Sequence, residues 1–157
     1  MAGSLLRNDA GMAILAVDYG ERRIGLAVSD EMGVAAHGLP TLHCAGGAEG
    51  VEQVCRIARE RGVEEVVVGL PRNMDGSEGA QAGAARAFGA QLREMLKAPV
   101  RFVDERLSSS RAERVLSESG VSLAKRKGMV DRMAAQFILE HYLSLRRSMG
   151  PEGAARF

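Results

Sequence analysis

The chain has 157 residues, 46% hydrophobic and 26% charged, the balance of a soluble globular domain with its own core rather than of a disordered chain. A net charge of +1, no Trp and only 4% aromatic residues exclude a uniformly basic surface and a row of base-stacking aromatic platforms. No apolar run approaches the ~20 residues of a membrane span, and Cys44 and Cys55 lack metal-ligand spacing and follow no secretory segment, so a cytoplasmic protein with free thiols and no membrane association is expected.

Residues 1–12 lack periodicity and read as a flexible leader. Residues 13–18 form an uninterrupted apolar run ending in Asp18, the pattern of a central strand covered on both faces. After a turn at 19–22, residues 24–28 make a second strand. A third extended piece lies between 34 and 42, where Pro40 suits a sheet edge. Short links between the three predict an antiparallel meander.

Helical spacing takes over at 48–61, with Val51, Val54, Ile57 and Ala58 on one face, and Gly62 stops it. Residues 65–69 are a buried strand, 70–76 a loop, and 78–97 an Ala-rich helix suited to close packing on a sheet. Pro99 precedes a last strand at 100–104. The hydroxyls of Ser108, Ser109 and Ser110 offer N-caps for a helix reaching about 117. Residues 119–128 read as a Gly- and Lys-containing loop, and 129–148 as a final helix carrying Met133, Ala134, Phe137, Ile138 and Leu145 inward. Residues 149–157, with Gly150, Pro151 and Gly153, read as a flexible tail. The order βββαβαβα, with one further helix near the end, predicts a single α/β domain over 13–148. Its five-stranded sheet is mixed, antiparallel on one side and parallel on the other, with helices on both faces.

Acidic residues end two of these strands and open the last helix. A carboxylate at the rim of an apolar core costs several kcal/mol to desolvate without a partner. Asp18 ends the most buried-looking strand, at the carboxyl end where sheet proteins bind ligands, although an Asp before Gly20 also suits a turn. Asp104 and Glu105 are neighbours in extended chain, so alternation sends them to opposite faces without deciding which reaches a site. Pairing with Arg101 or Arg106 at the surface explains both equally well. Asp131, in the predicted first turn of the last helix, complements the helix dipole by ~0.5 kcal/mol. An outward acid would do so too, whereas Asp131 shares a face with Ala134, Ala135 and Ile138.

If the three positions meet, they form a hard, oxygen-rich site suited to Mg²⁺ or Mn²⁺, since no His or Cys cluster accompanies them. Two such ions ~4 Å apart can activate water on one side of a phosphodiester and stabilise the leaving oxygen on the other, so hydrolysis of a nucleic-acid strand is the expected reaction. Candidate substrate cations lie nearby: Arg22 and Arg23 after Asp18, Arg106 after Glu105, and Lys125, Arg126 and Lys127 before Asp131. Arg146 and Arg147 form a further basic pair, and any such run is also compatible with plain solvated surface. The loop at 69–78 offers Arg72, Asn73 and Ser77 to a phosphate. A tight Asp-Gly turn with Ser77 capping the next helix accounts for the same residues. His37, His43 and His141 show no pairing and receive no role.

Four segments in order, Ala16-Val-Asp-Tyr-Gly with Ile24-Gly-Leu-Ala-Val28, Val68-Gly-Leu-Pro-Arg-Asn-Met-Asp-Gly76, Val103-Asp-Glu-Arg-Leu-Ser108 and Lys127-Gly-Met-Val-Asp131, resemble the YqgF/RuvX family over about residues 13–143. That family is described as Holliday-junction resolvases and as pre-16S rRNA processing nucleases. The resemblance implies a ribonuclease H-like fold, in agreement with the element order. It assigns Asp18, Glu105 and Asp131 as the acidic metal-binding and catalytic triad, favouring Glu105 over Asp104.

The function so implied is a Mg²⁺- or Mn²⁺-dependent endonuclease acting on structured nucleic acid, either the 5′ flank of pre-16S rRNA or branched DNA. Its partners would be that nucleic acid and the ribosome. Symmetric resolution of a four-way junction would require a homodimer, and two-metal hydrolysis does not itself choose between RNA and DNA. Two other classes compete. Asp-x-Gly beside an apolar hairpin also resembles the nucleotide-binding module of actin-like ATPases, which need a second domain that 157 residues do not supply. A non-catalytic RNA-binding or ribosome-associated factor would use the same basic rim.

Overall fold

The computed structural model describes residues 13–44, 47–106 and 108–154. The leader at 1–12 and the end of the tail lie outside the described residues. Five strands, β1 (Ala13–Tyr19), β2 (Arg23–Ser29), β3 (Ala36–His43), β4 (Val63–Leu70) and β5 (Val100–Asp104), form one sheet in the order β3-β2-β1-β4-β5. β1 pairs antiparallel with β2 and parallel with β4. β2 pairs antiparallel with β3, and β4 parallel with β5, so the mixed sheet follows the expected plan. The helices are α1 (Gly47–Glu60), α2 (Ala80–Leu96), α3 (Ser108–Glu118) and α4 (Leu123–Ala154). No helix among the described residues is long and apolar enough to cross a membrane.

Alternation along the strands sorts the core into two layers. Leu15, Val17, Ile24, Leu26, Val66, Val68 and Leu70 pack under α1 and α2 with Val54, Phe88 and Leu92. Ile14, Ala16, Ala27, Val67 and Val103 pack under α4 with Ala135, Ile138, Leu139 and Tyr142. Each fully buried Leu or Ile stabilises the fold by about 1.5–3 kcal/mol. Asp18 follows Ile14 and Ala16 in the same phase, and Glu105 follows Val103. The pleat alone therefore directs both carboxylates to the α4 side and leaves Asp104 on the other.

α4 departs from expectation at its start. It begins at Leu123, so residues 123–128 are helical rather than loop and only 119–122 connect the helices. Asp131 therefore lies more than two turns inside the helix, where the dipole of a first-turn position does not reach it. The buried residues Ala134, Ala135, Ile138, Leu139, Tyr142 and Leu143 trace the inward stripe, with Met133, Phe137 and Leu145 half-buried at its margins. Gly150, at φ 78°, breaks the regular helix where the tail was expected to begin.

α4 is also fastened to the edge strand β3. Arg132 Nε donates to the Leu39 carbonyl at 3.2 Å, and Thr41 Oγ1 donates to the Gly128 carbonyl at 3.0 Å. At the opposite end of the sheet, buried Glu65 accepts hydrogen bonds from the Tyr142 hydroxyl, from Arg101 Nε at 2.9 Å and from Arg146 Nη1 at 3.0 Å. This cluster ties α4 to β4 and β5. Ser77 does not cap α2, whose N-cap is Gly79 without a side-chain bond. Ser77 is held by Asp75 instead, its amide and its hydroxyl both donating to Oδ1.

Candidate active site

Asp18, Glu105 and Asp131 line one cavity of about 590 Å³ at the carboxyl ends of β1 and β4. Two glycines let three elements converge there. Gly25, paired with Asp18 across the β1–β2 ladder, faces α4 so closely that a Cβ would stand 2.1 Å from the Asp131 carbonyl oxygen. A Cβ on Gly69 would meet the Glu105 carboxyl carbon at 2.9 Å and Ile138 at 2.5 Å. The Glu105 amide, donating to the Leu70 carbonyl at 3.2 Å, extends the β4–β5 ladder by one residue and fixes where Glu105 leaves the sheet.

The site has more negative charge than it can shelter. Burial pushes the Asp18 carboxyl up to about 7, with the Asp131 charge adding to the effect. Burial likewise raises Glu105 to about 9, assisted by Asp18 and then Asp104. Asp131 is raised by burial, against the opposing pull of Arg23 and His43. Its Oδ2 is buried without a hydrogen bond. Arg23 Nε lies 3.3 Å away as an ion-pair partner, off hydrogen-bond alignment.

A divalent cation fits this donor set in kind: hard carboxylate oxygens, an orphaned buried acceptor and uncompensated charge. It does not yet fit in closure. Among the described residues no three of the Asp, Glu, His and Cys side chains stand close enough together to hold one metal ion in this arrangement.

The remaining sequence candidates divide. Arg22 and Arg23 line the cavity with the three acids. Arg72 and Arg106 both reach Asp104 Oδ2, at 4.0 and 2.8 Å. Asp104 is thereby partnered on the face away from the site, and Arg101 turns to Glu65 instead. Asn73 Nδ2 donates to Ser77 Oγ at 2.9 Å, shaping the exposed loop beside the cavity without lining it. Lys125 is exposed in the first turn of α4 and lines neither this cavity nor the next. The Lys127 side chain lies outside the described residues.

Four residues that sequence reasoning passed over, Arg111, Arg114, Phe137 and His141, line a second cavity of about 740 Å³ that shares Glu105 with the first. Their i,i+3 and i,i+4 spacings place each pair on one helix face. Spacing alone does not say that the α3 and α4 faces meet beside Glu105.

Comparison with known proteins agrees with this architecture. The family profile described as RuvX: Holliday junction resolvase matches residues 12–145. A protein of Halothermothrix orenii named "Putative pre-16S rRNA nuclease" is 44% identical over 138 residues, covering 88% of this chain and 99% of the relative. A protein of the same name from Trichormus variabilis is 40% identical over 144 residues, covering 92% and 95%. Among solved structures, T. thermophilus RuvC in complex with a Holliday junction substrate superposes with a TM-score of 0.52 at 19% identity, covering 89% of this chain and 97% of that one. The fowlpox virus resolvase bound to junction DNA gives 0.53 at 14% identity, covering 88% and 99%. These two likenesses establish the RuvC-like ribonuclease H fold. With the profile spanning nearly all of the folded domain, the chain belongs to the RuvX family.

Proposed function

We propose that this protein is a divalent-cation-dependent endonuclease that hydrolyses phosphodiester bonds in the 5′ flank of pre-16S rRNA, working in the cytoplasm beside the ribosome. The observation that carries the reading is the meeting of Asp18, Glu105 and Asp131, from three separate elements, at one cavity with Arg22 and Arg23 on its wall. The names of relatives at 40–45% identity support the substrate.

Asp18, Glu105 and Asp131 would supply the ligands of Mg²⁺ or Mn²⁺, drawn closer together than they stand in this arrangement. When bound, such a cation supplies the positive charge that activates a water and steadies the leaving oxygen. Burial, with Asp18 and Asp104 nearby, raises Glu105 to about 9 and so favours its protonated form in the metal-free site, and a bound cation would favour its carboxylate. Arg23 is paired with Asp131 but 41% exposed. It can turn to the substrate phosphate once that carboxylate is neutralised otherwise, and Arg22 adds a second cation at the rim.

Branched DNA is the second substrate to test, because the family description names it. A 5′-extended 16S rRNA fragment and a four-way DNA junction are incubated with wild type and Asp18→Asn in Mg²⁺ or Mn²⁺. Trimming of the RNA flank, lost at least about 100-fold in the variant, is expected. Undiminished cutting by Asp18→Asn overturns the triad. Paired symmetric nicks in the junction would favour resolution by a homodimer. Metal binding with no cleavage of either substrate would leave an RNA-binding factor.

A further inference from the structure

The second cavity opens on the other flank of Glu105, between the end of β5, α3 and α4. Its chemistry differs from that of the acidic site. The Arg111 guanidinium lies over the Phe137 ring, its central carbon 3.9 Å from the ring centroid. Arg111 is exposed and lines the groove. Neither Arg111 nor Arg114 has an acidic partner within ion-pair distance among the described residues. Arg106 is held at the mouth by Asp104 and the Met74 carbonyl, and His141 adds a further nitrogen donor. Three acids also line the groove: Glu105 at its border with the first cavity, Asp104 paired with Arg106, and exposed Glu140.

An exposed planar cation on an aromatic ring, beside an unpaired arginine, is the surface on which an unpaired base stacks and its phosphate is held. A duplex keeps its bases inside, and a 740 Å³ cavity suits a ligand of one or two nucleotides. We infer that this groove is a subsite for an unpaired nucleotide flanking the scissile bond, with Arg114 and Arg106 on its phosphate and the Arg111–Phe137 pair under its base. The inference rests on the endonuclease reading and names which part of the substrate is single-stranded: the strand that runs past Glu105 toward α3.

Binding in metal-free buffer separates this subsite from catalysis. Fluorescence anisotropy would follow the full chain on an RNA hairpin carrying an unpaired flank of roughly eight nucleotides at either end, and on the same hairpin without a flank. Wild type should prefer a flanked hairpin by about fivefold or more, and Arg111→Ala should remove most of that preference. Arg111→Ala and Arg114→Ala should each lower the salt slope by about one. Phe137→Leu, which keeps an apolar side chain but removes the ring, should weaken flank binding with no change in slope.

Flank preference unaltered in Arg111→Ala and Arg114→Ala overturns the subsite, as does equal loss on both hairpins. If cleavage still depends on Asp18 while the flank makes no difference, the subsite falls alone. If wild type binds neither hairpin and cleaves neither in Mg²⁺ or Mn²⁺, the nuclease reading falls with it.

Discussion

Gly25 and Asp131 meet back to back: the hydrogen that stands in place of a side chain on Gly25 is what lets the α4 backbone lie against β2 at the point where Asp131 enters the cavity. The acid thus reaches Asp18 through a vacancy on the neighbouring strand. Gly25→Ala is expected to push α4 outward, costing about 1–3 kcal/mol as an overpacked contact. Cleavage should fall further than the folded fraction does. Urea unfolding and cleavage by the same preparation test this, and an alanine variant with full stability would show that α4 can yield there.

The buried acids make stability depend on pH in an unusual direction. Asp18 rises from an ordinary 3.8 to about 7 and Glu105 from 4.5 to about 9. Between pH ~4 and ~9 the folded protein therefore binds more protons than the unfolded chain, and metal-free stability falls as pH rises. The slope is at most about 1.4 kcal/mol per pH unit for each such proton. Melting temperatures across this range should decline in wild type and more gently in Asp18→Asn. A flat profile for wild type would mean that these carboxyls are solvated in solution.

Mg²⁺ should reverse that trend. Its ligands must be deprotonated, so affinity rises with pH and binding releases protons, most strongly near pH 7–8 where Glu105 still carries one. Calorimetry in buffers of different ionisation enthalpy reads the proton count directly. Chelation of the metal at pH 8 should lower the melting temperature of wild type but not of Asp18→Asn.

Arg23 competes with any cation for Asp131 at 3.3 Å. Arg23→Ala should strengthen Mn²⁺ binding while weakening nucleic-acid binding, with the salt slope reduced by about one. The opposite signs on the two ligands are diagnostic. Loss of both would mean that Arg23 organises the site rather than guarding it.

Glu65 lies on β4 opposite Ile14, away from the cavity, and anchors Tyr142, Arg101 and Arg146. Glu65→Ala strands two arginines and should cost about 3 kcal/mol or more. Tyr142→Phe, which leaves the charges paired, should cost about 1–2 kcal/mol. Denaturant midpoints measure both, and cleavage per folded molecule should not change.

Much of this was legible in the chain. The apolar run before Asp18, the spacing of 48–61 and the Pro99 stop specify strands and helices because burial periodicity is local information. The meander followed by β–α units leaves few topologies. Less legible was the start of α4, since Lys125, Arg126 and Lys127 read as loop although their residue type is a good helix former. With that boundary misplaced, Asp131 is credited with a first-turn dipole contribution that does not reach it, although its inward face is read correctly.

Sequence by itself determined the element order, the opposite faces of Asp104 and Glu105, and the family, whose resemblance favoured Glu105. Only the tertiary structure decided that Asp131 approaches over Gly25, that Asp104 is taken up by Arg72 and Arg106, and that α3 and α4 enclose Arg111 and Phe137 beside Glu105. The physical reason is range. Propensity and pleat act between neighbours in the chain, whereas the pairing of charges and the meeting of helix faces depend on which distant elements packing brings within a few ångströms.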